Sequence, residues 1–112
     1  MADEQGELME VIMRLIMYGG DAKSSAMEAI YAAKREGFDE AESKLEAANE
    51  SLSNAHKSQT TLLTREASGD FVELSLLMVH GQDHLMNAIT FKDLATEVVD
   101  IHRKIAGQDV SK

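Results

Sequence analysis

The chain has 112 residues, 44% of them hydrophobic and 28% charged, proportions of one folded domain rather than of a disordered or collagen-like chain. It has no cysteine and no proline, which excludes disulfides, thiolate metal sites, a cysteine nucleophile and a proline-rich linker, and lets helices run uninterrupted. The formal net charge of −9 opposes a nucleic-acid phosphate backbone or an anionic membrane surface as a partner.

The N-terminal stretch from Met1 to Glu10 is acidic, the wrong sign for a secretory signal. No apolar run approaches the roughly 20 residues that cross a bilayer. These features, with the lack of cysteine, predict a cytoplasmic protein with no direct membrane insertion. The first predicted helix covers about residues 4–36, with Leu8, Val11, Ile12, Leu15, Ile16, Ala22, Ala26 and Ile30 at helical spacing. Gly19-Gly20 interrupts this stripe without shifting its phase, which predicts a kink or a close packing contact rather than a break. Gly37 is expected to end the helix in the left-handed conformation, with Asp39 capping the next and Glu42 completing a capping box. The second helix, about 39–68, is rich in alanine and turns Leu45, Ala48, Leu52, Ala55, Leu62 and Leu63 inward. The same punctuation recurs at Gly69, Asp70 and Glu73, which starts a third helix over about 70–106. Loops this short join antiparallel neighbours, so the expected fold is all-α, an antiparallel three-helix bundle forming a single domain over 1–112.

The third helix carries two apolar lines. Leu74, Leu77, Met78, Leu85, Ala88, Ile89, Ala95 and Val99 share one side, which the other two helices can cover. Val72, Leu76, Val79, Asp83, Met86, Thr90, Leu94, Ile101 and Ile105 form a second line in steps close to a heptad. A small bundle covers one such side, so burial of the second calls for another copy of the chain. Asp83 is the exception in that seam, because a buried carboxylate must be neutralised, paired or bound to a cation. Copies of Asp83 meeting on a symmetry axis would offer oxygen ligands alone, which suits Mg²⁺ or another hard divalent ion. The competing reading leaves the seam unformed and Asp83 simply exposed.

The densest chemistry lies beside it, in His80-Gly81-Gln82-Asp83-His84-Leu85-Met86. His80 and His84 are four apart and neighbours on one helix face. The spacing is that of a zinc hydrolase helix, but such a helix needs a glutamate directly after the first histidine, and Gly81 stands there. Two readings remain open on spacing alone. The pair is structural, or one imidazole is a nucleophile for phosphoryl transfer.

The run from Leu76 to Met86, with its HxQDHLM core, resembles the active-site helix of the lactose/cellobiose-type enzyme IIA of the bacterial phosphoenolpyruvate-dependent sugar phosphotransferase system. Ala55-His56 with Gln59-Thr60, Leu62, Glu66-Ala67 and Gly69 resembles the second helix of that family. Gly20-Asp21-Ala22, Met27-Glu28-Ala29 and Lys92-Asp93-Leu94-Ala95 match it elsewhere. The resemblance implies a homotrimer of three-helix subunits built around the third helix, with His80 phosphorylated and Asp83 on a divalent metal, Mg²⁺ by its chemistry, shared by three subunits. It puts Gln82 and His84 in supporting roles, and His56 matches with a helix-packing role expected. It implies that His80 receives a phosphoryl group from the histidine-containing phosphocarrier protein and passes it to a cysteine of the cognate IIB component during sugar uptake. Seven methionines, among them Met9, Met13, Met17 and Met78, offer adaptable apolar surface for two such partners. The alternative from another class is a non-catalytic oligomeric helical adaptor with a structural metal. Which sugar is carried is not written in this chain.

Overall fold

Long stretches of Ala, Glu, Leu, Lys and Met, with no proline to stop them, form three helices in the computed structural model, which describes residues 4–108. They are α1 (Glu4–Lys34), α2 (Phe38–Ala67) and α3 (Leu76–Ile105), and among the described residues there is no strand. Helix α1 packs along both other helices, while α2 and α3 meet over a smaller surface. Helices α1 and α3 run in the same direction: Ile12 and Leu15 lie against Gly81, and Gly19 lies against His84 further along both.

The interior divides into two stretches. Toward the α1–α2 turn it is built from Ala26, Ala29, Ala32, Ala33, Ala41, Ala48 and Ala95 around Phe38, Leu45 and Val99. Side chains this small let the helix axes approach closely. Toward the other end Ile12, Leu15, Leu62, Met78 and Leu85 supply the bulk, with Leu8, Val11, Ile16, Leu52, Leu77 and Ile89 packed around them. Most of the apolar stripe expected on each helix is therefore the core. Leu63 is the exception on α2: it is 56% exposed, because it sits 100° around the helix from Leu62, which takes the inward position.

The turns differ from expectation in an instructive way. At the end of α1 the amide of Gly37 donates to the carbonyl of Ala32 at 2.8 Å and that of Glu36 to Ala33 at 3.0 Å, the paired bonds of a Schellman motif. The left-handed residue is Glu36, at φ 62°, whereas Gly37 has φ −85° and sits at the start of α2. Asp39 does not cap α2 but lies inside its first turn with Glu40, where negative charge complements the helix dipole. Glu42 closes no capping box; it accepts from Arg103 at 2.9 Å and so ties α2 to the end of α3. Arg103 also lies over the Phe38 ring, 5.4 Å from its centroid.

Gly69, at φ 92°, ends α2 as expected, but α3 does not begin at Asp70. The Asp70 carboxylate accepts from Arg65 at 3.1 Å, and α3 starts at Leu76 with Ser75 as its cap, the Ser75 hydroxyl accepting from the Met78 amide at 3.1 Å. Val72 is drawn into the core cluster rather than lying in the outer seam, and this pins the segment before the helix. Leu74 is consequently outside α3 and 78% exposed rather than facing the bundle.

A non-glycine residue in the left-handed region costs about 1 kcal/mol. Replacing Glu36 with glycine relieves that strain and partly offsets it by loosening the unfolded chain. Glu36→Gly is expected to stabilise the protein by roughly 0.5–1 kcal/mol in denaturant unfolding, and a loss of stability would show that Glu36 is held there by interactions worth more than the strain.

Candidate functional site

The histidines stand where α3 turns from its buried face to its outer one. Met78, Gly81, Leu85, Ala88, Ala95 and Val99 are buried against the bundle. Leu76, Val79, Met86, Leu94, Ile101 and Ile105 are each more than half exposed, and Asp83 and Thr90 are exposed among them. This is the second apolar line read from the sequence, without Val72. His80 is exposed and His84 half-buried, and their rings meet edge to face with centroids 4.5 Å apart.

Of the two glycines at this level, one makes the bundle tight. Gly19 is buried in an unbroken α1, and a Cβ built on it would lie 3.2 Å from the backbone carbon and oxygen of His84. Gly20 faces open space. The close packing expected at the glycine pair thus belongs to Gly19 alone. Gly81 faces α1 in turn, its Cβ position 3.5 Å from Ile12 and Leu15. Gly81 thus meets α1 at ordinary van der Waals distance on the buried side of α3.

A groove of ≈ 370 Å³ opens between α1 and α3 at this level, lined among others by Gly19, Lys23, His80, Asp83, His84 and Asn87. The Asn87 amide donates to the Asp83 carboxylate at 2.7 Å and to the Asp83 carbonyl at 3.0 Å, fixing one carboxylate oxygen. Gln82 does not join the histidines within the subunit. It accepts from Gln59 of α2 at 2.8 Å, on the other side of α3. Two residues along a helix are about 200° apart, so Gln82 and His80 point to nearly opposite sides. His56 is exposed on α2, not in a helix contact, and does not line the groove. Met9, Met13 and Met17 form an exposed line on α1, whereas Met78 is core. Lys23, Asn87 and Gly19 are site residues that the motif alone did not indicate. Asn87 was recoverable from its place four after Asp83, whereas no sequence signal placed Lys23 beside the motif.

This arrangement offers an exposed imidazole braced by a second one, with a carboxylate, an amide and one ammonium within the same groove. No glutamate among the described residues lines the groove as a general base. Among the described residues no three His, Asp or Glu side chains of one subunit converge as metal ligands.

Residues 10–103 match the model of a family described as the lactose/cellobiose-specific IIA subunit of the PTS system. The chain belongs to this family. As a PTS IIA component it is a phosphotransferase of the sugar phosphotransferase system. It is 51% identical over 102 residues to the lichenan-specific phosphotransferase enzyme IIA component of Bacillus subtilis, covering 91% of this chain and 93% of that one. The cellobiose-specific enzyme IIA from Bacillus anthracis superposes with a TM-score of 0.89 at 39% identity, over 97% of both chains. The chitobiose IIA of the Escherichia coli phosphotransferase system, solved as a complex with HPr, superposes with a TM-score of 0.78 at 35% identity, over 94% of this chain and 99% of that one.

The glycine pair gives a direct test of the packing beneath this IIA site. In a helix interior alanine is favoured over glycine by roughly 0.5–1 kcal/mol. Gly20→Ala is expected to gain about that much, while Gly19→Ala, pressed against unyielding backbone, gains nothing or loses stability. Thermal unfolding of the two variants checks this, and equal gains would mean that α1 and α3 are not locked together at His84.

Proposed function

We propose that the protein is a phosphohistidine carrier in sugar uptake, with His80 as the phosphoryl acceptor, HPr-type phosphocarrier protein as donor and the cysteine of a cognate IIB component as recipient. The observation that carries this reading is the exposed His80 at a groove, braced by half-buried His84 4.5 Å away, in a chain of the IIA family. The chitobiose relative solved with HPr supports the choice of donor. No helix among the described residues is long and apolar enough to cross a membrane, which fits a carrier shuttling between partners in the cytoplasm.

The chemistry needs position more than acid–base machinery. A neutral His80 nitrogen attacks the phosphorus of the donor phosphohistidine. The donor N–P bond breaks and its electron pair returns to the donor ring, so no proton has to move between the proteins. In the second transfer a thiolate attacks the phosphorus, and the His80 N–P bond breaks with its pair returning to His80. His84, packed edge to face against it, limits the rotation of the His80 ring. Gln82 supports the site indirectly, by fixing α3 against α2 through Gln59.

The outer face of α3 supports a homotrimer. Six large apolar side chains in near-heptad steps, with only Asp83 and Thr90 breaking the line, form a patch that a monomer would leave in water. One oxygen of Asp83 is held by Asn87, and the carboxylate lies on this face. Three such carboxylates from three subunits make an all-oxygen donor set, which fits a hard divalent ion such as Mg²⁺. The ion would supply neutralisation of charge on the axis. The sugar differs among the relatives, and this component makes no contact that would select it.

Three outcomes are expected. Incubation with phosphoenolpyruvate, enzyme I and phosphocarrier protein labels the wild type on an acid-labile histidine, and His80→Ala reduces labelling to background while keeping wild-type helicity. Labelling that persists in His80→Ala overturns the assignment. In analytical ultracentrifugation the protein sediments as a trimer at micromolar concentration; a folded monomer would remove the seam. Chelation lowers the thermal stability of the wild-type trimer, because the carboxylate repulsion is then unscreened. Asp83→Leu stays trimeric, is about 1–4 kcal/mol more stable than the chelated wild type, and no longer responds to chelator. Equal chelator sensitivity in both proteins would show that Asp83 is not the ligand.

A further inference from the structure

We propose that Lys23 of α1 is the cationic group that holds the phosphoryl group on His80, a catalytic residue supplied by a helix that carries none of the histidine motif. The inference rests on His80 being the phosphoryl acceptor and adds the group that stabilises the transferred charge.

A phosphorylated side chain carries close to two negative charges near neutral pH. Here it would be placed on a chain of net charge −9, in a groove that also holds the Asp83 carboxylate. The net charge opposes transfer to His80, and so does Asp83 wherever the axial cation does not neutralise it. Among the described residues, Lys23 is the one Lys or Arg side chain that lines the groove. It is also uncommitted. Arg14, Arg35, Lys44, Arg65, Lys92 and Arg103 each lie against a carboxylate, at 2.5–3.4 Å, whereas Lys23 forms no ion pair among the described residues.

The local backbone aims it. Helical side chains lean toward the N-terminus of their helix and cover the preceding turn. The turn before Lys23 presents Gly19, which has no side chain and abuts the His84 backbone. The lysine stem therefore has a clear path back toward the level of the histidines, over a helix held close to α3. Asp83 is the competing anion in the same groove, but one of its oxygens is taken by Asn87. A flexible ammonium with three donors suits a group that arrives and leaves in each cycle better than a rigid bidentate clamp would.

The test uses phosphoramidate as the donor, so that docking of a protein partner plays no part. The P–N bond of phosphoramidate breaks as the His80 nitrogen bonds to phosphorus, and ammonia departs with the proton it requires. Phosphohistidine formation is followed by ³¹P NMR on the full chain for wild type, Lys23→Met, Lys23→Arg and, as a control for general charge, Lys57→Met. Lys57 is exposed on α2 away from the groove. Losing one charge-assisted contact to the phosphoryl group predicts a slowing of about tenfold or more in Lys23→Met. Recovery of most of the rate is expected in Lys23→Arg, with wild-type behaviour in Lys57→Met. The phosphohistidine resonance of Lys23→Met is also expected to move from its wild-type position, a change that a purely structural lysine would not produce. Labelling of His80 at the wild-type rate in Lys23→Met, with an unmoved resonance, overturns the role of Lys23 and leaves the carrier reading intact. Equal slowing in Lys57→Met and Lys23→Met likewise overturns it, because net charge alone then explains the effect. Absence of phosphate on His80 in the wild type overturns both.

Discussion

Helix α3 has more apolar surface than two neighbouring helices can bury, and the location of the site follows from that excess. Its inner side, Met78, Gly81, Leu85, Ala88, Ala95 and Val99, is sealed against the bundle. Its outer side, from Leu76 to Ile105, is not. Each buried large apolar side chain is worth on the order of 2 kcal/mol, so covering six of them in an assembly rivals the whole stability of a small domain. His80 and His84 lie on the border between these sides. One imidazole is consequently open to a partner while its neighbour is half-buried and fixed.

The same border explains why so few residues suffice. The close approach of α1 and α3 at Gly19 sets a glycine against the His84 backbone at one wall of the groove. A carrier gains speed from groups that are already in place before the phosphoryl group arrives. Helix α1 contributes twice: it is the element against which both other helices pack, and it brings Lys23 to the groove. Helix α2 stabilises this arrangement from behind through the Gln59–Gln82 hydrogen bond and the Arg103–Glu42 pair.

Much of this was legible in the sequence, where the information is periodic. The three helices, the inward stripes, the unbroken α1 and the outer line of α3 all follow from spacing, because a side chain's side of a helix is set by 100° steps. The features that were not legible depend on competition between local choices. Gly37 is the natural left-handed residue, yet Glu36 takes that conformation, since the Schellman bonds to Ala32 and Ala33 fix where the chain turns. Asp70 and Glu73 looked like a cap, but Ser75 holds that role because Val72 is drawn into the core. Within the motif, the resemblance gave Gln82 a supporting role without its partner, and the fold pairs its side chain with Gln59 of α2. Lys23 lies more than fifty residues from the motif, and only the packing of α1 on α3 brings the two together.

The central claim is that the outer face of α3 is buried against copies of itself, with the histidines at its edge. The most direct measurement is a filtered NOE experiment on a mixed trimer, assembled from chains labelled at Leu, Val and Met methyl groups and chains left unlabelled. The account predicts intermolecular contacts among the methyl groups of Leu76, Val79, Met86 and Leu94, and none to the inward Leu15, Leu85 or Val99. Intermolecular contacts confined to other surfaces, or none at all along α3, would contradict it.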